Sequence, residues 1–208
     1  AERIYVGKKS RDHHLSQQRI IDLLIDKALE GTPVLRLKGG DPYIFGRGGE
    51  EAQALAVAGI PFEVIPGISA AQGMSACAGI PLTHRDHAAA VVFATGHFKS
   101  GTEDLDWPAL ARPRQTVVIY MGVAALPRIC EQLIAHGLSE STPAAVVENA
   151  SCANQRVLRA TLLDLPALAL AHAARAPALI VIGEVVALAT QLAPSPLARS
   201  LEGKSALR

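Results

Sequence analysis

Cysteine is scarce in this sequence, and its three cysteines are not arranged in pairs. Cys77, Cys130 and Cys152 lie far apart and form no CxxC motif. This spacing disfavours both a disulfide framework and a cysteine-based zinc site, and a reducing compartment such as the cytoplasm fits best. We expect the three side chains to act as small buried hydrophobes.

Net charge is also nearly absent, at +1 for 208 residues. The sequence therefore has no overall basic field for nucleic acid, and an anionic ligand must be met by local arginines. No apolar run approaches the roughly 20 residues of a membrane helix, and the first residues show no signal-peptide pattern. Because the chain starts at Ala1 and enters the strand-like RIYV almost at once, we interpret it as part of a longer protein whose first elements are missing.

Several catalytic and phosphate-binding motifs are missing as well. The sequence contains no HExxH motif, no Ser-His-Asp order and no paired-carboxylate motif, so nothing favours a hydrolase. A P-loop requires GxxxxGK[ST], which does not occur. The segment GRGGEE offers Gly46 and Gly48 to a dinucleotide fingerprint but has Glu51 in place of the third glycine, and its two acids would repel a phosphate.

Half of the residues are apolar, and they fall into alternating strand-like and helix-like segments. The first part predicts strands at 4–6, 33–37 and 62–65 and helices at 16–30, 50–58 and 69–78. The second part predicts strands at 89–94, 116–120, 144–147, 155–162 and 178–182 and helices at 126–135 and 167–174. Strand 155–162 is expected to pair antiparallel. The order indicates an α/β fold with a mainly parallel sheet in the first part.

The segment IPLTHRDHA, with one proline and several polar residues, interrupts this pattern and indicates a boundary or hinge. We predict an N-terminal α/β domain at 1–82, incomplete at its start, a C-terminal α/β domain at 83–192, and a loose tail at 193–208. A cleft between two such domains is a common place for a ligand.

The glycine-rich stretch RLKGGDPYIFGRGGEE offers close backbone approach to a ligand. Gly39 and Gly40 follow the carboxyl end of a predicted strand, where open α/β sheets bind ligands. Asp41 precedes a proline and can accept hydrogen bonds, and Arg47 is flanked by glycines that let it project. Residue chemistry alone leaves open the alternative of two glycine turns with surface charges.

Other motifs are equally open on chemistry alone. VIPGISA at 64–70 is either a second close-approach segment or an ordinary Pro-Gly turn. His84, Arg85 and His87, with His97 after the next strand, either gather carboxylates together with Arg36 and Arg47 or form a solvated loop. Met121 is by default a core residue, and alternatively it packs against a planar ligand.

Taken in order, several motifs resemble those of the uroporphyrinogen-III C-methyltransferases, from about Tyr5 to Val186. They are VGKK, RLKGGDPYIFGRGGEE, PGISA, GIPLTHRD, TGH, YMG, VEN and PALIVIGEVV. The resemblance implies a homodimer of two-domain α/β subunits that binds S-adenosylmethionine in the cleft between the domains and requires no metal. It also implies methylation of two adjacent pyrrole rings of uroporphyrinogen III to precorrin-2, which feeds sirohaem, cobalamin and haem d1 synthesis.

The same resemblance implies roles for individual residues. The cofactor contacts would be Gly39, Gly40, Asp41, Ile44, Ser69, Ala70, Met121, Ala150 and Ala178. Lys8 would be the proton donor, and the tetrapyrrole would be bound by Arg47, Glu50, Arg85 and His97. The family's GxGPGD loop, with its proton-accepting aspartate, has no counterpart here. A methylase of a later corrin intermediate and an inactive tetrapyrrole- or nucleotide-binding module are the alternatives.

Overall fold

A computed structural model describes residues 1–9, 12–13, 15–96 and 105–192, with 8–9 and 12–13 described by their backbone. The chain divides into two compact units, Ala1–Ser69 and Ala70–Arg208. The domain boundary between residues 82 and 83 stays a prediction, and the predicted tail at 193–208 lies outside the described residues. Within these residues, no helix is both long enough and apolar enough to cross a membrane.

The first unit contains a short hairpin and two helices. Strands β1 (Lys8–Lys9) and β2 (Asp12–His13) pair antiparallel, followed by α1 (Gln17–Leu29) and α2 (Gly48–Val57). The hydroxyl oxygen of Ser16 accepts the N–H of Arg19 and caps α1, and Gly31 ends the helix region with φ +79°. The observed bounds confirm the helix predicted at 16–30.

The strands predicted at 4–6, 33–37 and 62–65 are wrong in the described structure. These segments form no β-strands, because none of them pairs with a neighbouring strand among the described residues. Their apolar side chains face outward instead, with Leu35 and Leu37 82% and 80% exposed and Ile65 69% exposed. A β-branched, apolar composition indicates compatibility with a sheet but does not supply the partner that makes a strand.

The second unit follows the predicted order closely. Its helices are α3 (Ala70–Ala78), α4 (Trp107–Leu110), α5 (Leu126–Ala135), α6 (Leu165–Ala171) and α7 (Ala189–Leu192), with short 3₁₀ turns at Val123–Ala125 and Glu184–Leu188. Its strands are β3 (Ala90–Thr95), β4 (Gln115–Tyr120), β5 (Pro143–Glu148), β6 (Arg156–Thr161) and β7 (Ala178–Ile182). The bounds of α5 and β7 agree with the prediction at both ends.

The five strands form one mixed sheet in the order β3-β4-β7-β5-β6. Only β3 and β4 are parallel, whereas β7 runs antiparallel to both β4 and β5. Strand β6 pairs antiparallel with β5, which confirms that prediction, because the link between them is too short for a crossover. The mainly parallel sheet expected in the first part is thus not found among the described residues, although the α/β fold class is confirmed.

The core of the second unit surrounds the three central strands. Every residue of β4 from Thr116 onward and of β5 from Ala144 onward is buried, and α5 packs Ile129 and Leu133 against this sheet with no exposure. Strands buried on both faces appear as continuous apolar runs, which is why their positions were predictable.

Candidate functional site

Strand register brings three predicted cofactor residues to one edge of the sheet. Tyr120 at the end of β4 is opposite Leu179, and Glu148 at the end of β5 is opposite Ala178 at the start of β7. Met121 and Ala150 follow directly from these two strand ends. The edge therefore presents Met121, Ala150 and Ala178 together, although 57 residues separate the first of them from the last in sequence.

A hydrogen bond adds the start of α3 to this edge. The N–H of Ala71 donates to the hydroxyl oxygen of Tyr120 at 3.0 Å, and both residues are buried. Ala70, the first residue of α3 and a fourth predicted cofactor contact, is consequently held beside the end of β4. Burial raises the pKa of the Tyr120 hydroxyl, while the Ala71 N–H acts in the opposite direction.

The backbone turns sharply where these strands end. Met121, Asn149 and Ser151 adopt positive φ angles of 55°, 47° and 66°, a region that side-chain-bearing residues seldom occupy. Met121 is 56% exposed, so the default interpretation of a core methionine is wrong. Left-handed residues of this kind cluster at functional sites, where the surrounding structure holds them in place.

A buried carboxylate anchors the Ala150 turn. Glu148 is 2% exposed and accepts hydrogen bonds from the Arg156 guanidinium and from the Arg175 N–H, the latter at 2.9 Å. The guanidinium also donates to the His172 carbonyl at 3.0 Å. The Arg156 hydrogen bond holds the pKa of Glu148 below its ordinary value against the opposing effect of burial, with a further contribution from the Arg175 N–H.

In the first unit, the two predicted close-approach segments pack against each other. A Cβ added to Gly67 would lie 3.0 Å from the carbonyl carbon of Gly40, and Gly40 itself has φ +154°. The Asp41 carboxylate accepts the N–H of Gly67 at 3.2 Å and that of Tyr43 at 2.9 Å. The Asp41 carboxylate thus stabilises its own loop through these two hydrogen bonds, apart from any hydrogen bond it accepts from a ligand.

The remaining predicted contacts of this unit lie in the same region. The N–H of Ile44 donates to the Asp41 carbonyl at 3.3 Å, which closes the turn after the paired glycines. Ser69 is buried, at 3% exposure, and its Cα would lie 3.4 Å from a Cβ at Gly40. The structure therefore brings together Gly39, Gly40, Asp41, Ile44 and Ser69 as one loop cluster.

A buried carboxylate next to this loop cluster, that of Glu51, was not predicted from the sequence. Glu51 is 5% exposed and accepts hydrogen bonds from Gln17 at 3.0 Å, Arg36 at 3.2 Å and Lys38 at 3.0 Å. Burial tends to raise the pKa of Glu51, but the Lys38 and Gln17 hydrogen bonds and the Arg36 charge outweigh it, so the pKa is lowered. A signal was available, since Arg36 and Lys38 are two apart at the end of a predicted strand, a spacing that an extended backbone would place on one face.

Arg47 and Glu50 form an ion pair at the start of α2. The guanidinium Nε and Nη2 atoms of Arg47 lie 2.8 and 2.6 Å from the two carboxylate oxygens of Glu50, in bidentate geometry. Arg47 has φ +57°, and both side chains are about half exposed. The Glu50 hydrogen bond raises the pKa of Arg47, against a smaller effect of desolvation.

Arg85 lies in an exposed turn that is stabilised by hydrogen bonds from Arg114. The Arg114 guanidinium donates to the carbonyl oxygens of Arg85 and Asp86, both at 3.1 Å. The N–H of Asp86 donates to the His84 ring, and the His84 and His87 rings lie 4.8 Å apart. The turn leaves the Arg85 side chain exposed and accessible to an acidic ligand.

The last two predicted site residues are less fully described. Lys8 lies in the β1–β2 hairpin, in register with His13, rather than at the end of the strand predicted at 4–6. His97 lies outside the described residues. Over the ranges that the structure covers, no group of three His, Cys, Asp or Glu side chains is placed to hold a metal ion.

Comparison with known proteins identifies relatives along most of the chain. The family model for tetrapyrrole (corrin/porphyrin) methylases matches residues 2–166. Siroheme synthase from Pseudomonas paraeruginosa is 58% identical over 193 residues, which cover 93% of this chain and 42% of the relative. The chain therefore spans about two fifths of the length of the curated relatives it matches.

Solved structures give the same result. Uroporphyrin-III C-methyl transferase from Thermus thermophilus, complexed with S-adenyl homocysteine, is similar with a TM-score of 0.72 and 38% identity. That match covers 89% of this chain and 78% of the other. A cobalt precorrin-4 methyltransferase has a TM-score of 0.74 over 83% of this chain and 73% of its own, but its 24% identity supports the fold alone.

Proposed function

The chain belongs to the tetrapyrrole (corrin/porphyrin) methylases, and we propose that it methylates uroporphyrinogen III at two adjacent pyrrole rings to give precorrin-2, with S-adenosylmethionine as methyl donor. The observation that carries this proposal is the group of small or left-handed residues at one sheet edge, Ala70, Met121, Ala150 and Ala178. Similarity to siroheme synthases and to the Thermus thermophilus enzyme supports the substrate, and sirohaem synthesis is a fitting destination for the product.

The residues present fit a cofactor that is recognised largely through backbone groups. A Cβ added to Gly39 would meet no atom within 4 Å, so the space beside this glycine is open, whereas the neighbouring Gly40 is closely packed. Gly39, Gly40, Asp41, Ile44 and Ser69 are the proposed contacts in the first unit, and Ala70, Met121, Ala150 and Ala178 those in the second. When bound, S-adenosylmethionine supplies a methyl group activated by its sulfonium centre.

We propose that the substrate carboxylates bind to arginine side chains, one of which, Arg47, is oriented by Glu50. A porphyrinogen with eight carboxylates suits local guanidinium groups in a protein of nearly zero net charge. The bidentate contact to Glu50 fixes the plane of the Arg47 guanidinium and leaves its outer N–H edge for a substrate carboxylate. Arg85 and His97 are the further proposed substrate contacts, and Lys8 is the proposed proton donor.

Two measurements test this proposal. We expect calorimetry to detect binding of S-adenosylhomocysteine to the chain, and an assay with labelled S-adenosylmethionine to show two methyl groups transferred per uroporphyrinogen III. Arg47→Ala and Arg85→Ala are expected to weaken tetrapyrrole binding about tenfold each, as is typical for loss of a charge-assisted contact, and to spare the cofactor.

Arg19→Ala and Arg112→Ala are matched controls, because both remove an exposed arginine that is not among the proposed substrate contacts. Unchanged tetrapyrrole turnover in Arg47→Ala and Arg85→Ala would show that the substrate site is assigned wrongly. Preferential methylation of a later corrin intermediate, or cofactor binding with no transfer to any tetrapyrrole, would favour the corresponding alternative.

We also propose that the protein acts as a cytoplasmic homodimer. Cys77, Cys130 and Cys152 are all free thiols, as a reducing compartment favours. The dimer is inferred from the family resemblance, and light scattering after gel filtration is expected to give about twice the 21.8 kDa of one chain. A monomer at micromolar concentration would contradict this part of the proposal.

A further inference from the structure

Three segments of the first unit converge on one buried carboxylate. Oε1 of Glu51 accepts from the Gln17 amide at the start of α1 and from the Arg36 guanidinium, and Oε2 accepts from the Lys38 ammonium. The Lys38 side chain is only 10% exposed, so this ion pair is shielded from solvent on both sides. Charges buried in this way require their partners, and loss of one leaves the other uncompensated.

The Lys38–Glu51 pair lies directly against the glycine loop. Lys38 immediately precedes Gly39, and a Cβ added to Gly46 would lie 3.2 Å from the Lys38 Cε atom. The loop folds back over this stem, since the N–H of Gly48 donates to the Pro42 carbonyl at 2.9 Å. The position of the loop between Gly39 and Gly48 is therefore coupled to where Lys38 is held.

We propose that Glu51 is a positioning residue that, through Lys38, holds the Gly39–Ile44 loop in the arrangement needed to bind the cofactor. The inference rests on the proposed function for the identity of the ligand. In this proposal Glu51 acts through Lys38 and does not touch the ligand. It fixes the residue that precedes the paired glycines, and α2 carries it there together with Arg47 and Glu50. A buried ion pair suits this role, since its geometric demands specify one arrangement of the chain.

The test compares Glu51→Gln, Lys38→Met and the double variant Lys38→Met/Glu51→Gln. Hydrogen exchange at the amides of Tyr43 and Gly67 reports on the loop, because both donate to the Asp41 carboxylate. We expect each single variant to exchange faster at these amides and to bind S-adenosylhomocysteine about tenfold more weakly, as small misplacements of binding groups do. Lys27→Met/Glu30→Gln, which removes an exposed ion pair of the same unit, is the control.

The double variant separates the effect of Glu51 on loop position from its effect on the stability of the fold. It removes both charges of the buried Lys38–Glu51 pair and leaves only the Arg36 guanidinium, which is 27% exposed, without a carboxylate partner. Its urea midpoint should therefore recover relative to the single variants. Its affinity for S-adenosylhomocysteine should stay as weak as theirs, because the loop is still unanchored. Recovery of affinity together with stability would overturn the proposal, and so would wild-type exchange and affinity in Glu51→Gln. If the wild-type chain bound no S-adenosylhomocysteine, the proposed function would fail, while the exchange data would still decide the role of Glu51.

Discussion

The hydroxyl oxygen of Tyr120 accepts the backbone N–H of Ala71 at 3.0 Å, so the last residue of β4 is joined to the first turn of α3. This bond brings two predicted cofactor residues close together, because Ala70 precedes the donor and Met121 follows the acceptor. Both ends are buried, with Ala71 at 0% and Tyr120 at 9% exposure. One hydroxyl thus sets the spacing between a helix start and a left-handed strand end.

Removing that hydroxyl is expected to weaken cofactor binding without unfolding the protein. Tyr120→Phe keeps the ring, including its edge contact with Phe93 at 6.0 Å, but takes the acceptor from a buried N–H. We expect a loss of about 1–3 kcal/mol in the free energy of unfolding in urea. Calorimetry should show affinity for S-adenosylhomocysteine falling several-fold. Ser141→Ala, which removes an exposed hydroxyl, is the control, and wild-type affinity in Tyr120→Phe would contradict the argument.

Local signals were sufficient to predict individual elements. Helix α1 is predictable from the capping residue Ser16 and from Gly31 just past its end, since capping depends on neighbours within a few residues. Strand β7 was found from its apolar run, because a strand buried on both faces needs no alternation. The family motifs imply that Ala70, Met121, Ala150 and Ala178 contact one ligand. Strand register brings the last three to one sheet edge, and the hydrogen bond between Ala71 and Tyr120 places Ala70 beside it.

Pairing and buried polar contacts could not be predicted in this way. The antiparallel insertion of β7 between β4 and β5 depends on residues more than 25 positions apart, which no local pattern specifies. The local sequence around Glu51 indicates only an acid that would repel a phosphate, whereas its partners Gln17, Arg36 and Lys38 come from other segments. The proton-donor and substrate roles of Lys8, Arg47, Glu50, Arg85 and His97 stay predictions.

A methyl group at Gly67 should disrupt the loop cluster of the first unit. Its Cβ would lie 3.0 Å from the Gly40 carbonyl carbon and 3.1 Å from the Asp41 nitrogen, and both are backbone atoms that cannot rotate away. Gly67→Ala is therefore expected to weaken binding of S-adenosylhomocysteine at least tenfold, because displacement of a binding group by about 1 Å is costly. Calorimetry measures this effect.

Gly49→Ala provides the matched comparison in the same unit. A Cβ at Gly49 would meet nothing within 4 Å, and the residue lies in the first turn of α2, where alanine is favoured over glycine. We expect wild-type affinity and a gain of up to about 1 kcal/mol in the free energy of unfolding. Equal affinities of the Gly67 and Gly49 variants would show that close packing of Gly67 on Gly40 is irrelevant to the cofactor.

Arg114 is expected to act on tetrapyrrole binding through the Arg85 turn. Its two donors hold the carbonyl oxygens of Arg85 and Asp86, a forked geometry that lysine cannot reproduce. Arg114→Lys keeps the charge but should weaken tetrapyrrole binding several-fold, measured by fluorescence titration with uroporphyrin. Affinity for S-adenosylhomocysteine should not change. Arg112→Lys is the control, and an equal effect of both variants would exclude a specific role for the fork.

The lowered pKa of Glu148 predicts that the second unit loses stability in acid. The Arg156 hydrogen bond keeps the pKa of this carboxyl below its ordinary value of 4.5, so the folded state binds its proton less readily than the unfolded state. The resulting stabilisation is complete above about pH 4.5 and is lost as the pH falls through the lower, folded-state pKa. Glu148→Gln cannot titrate and leaves the Arg156 guanidinium without its charged partner.

We therefore expect Glu148→Gln to be less stable than wild type by about 1–3 kcal/mol at pH 7, a range typical of a lost charge-assisted hydrogen bond. The difference in free energy of unfolding should shrink steadily below pH 4.5, because acid neutralises the wild-type carboxyl as the substitution does. Urea unfolding at several pH values, with Glu131→Gln on the exposed face of α5 as control, measures both effects. A difference that stays constant down to the acid unfolding of the wild type would mean that the charge of Glu148 does not stabilise the turn carrying Ala150.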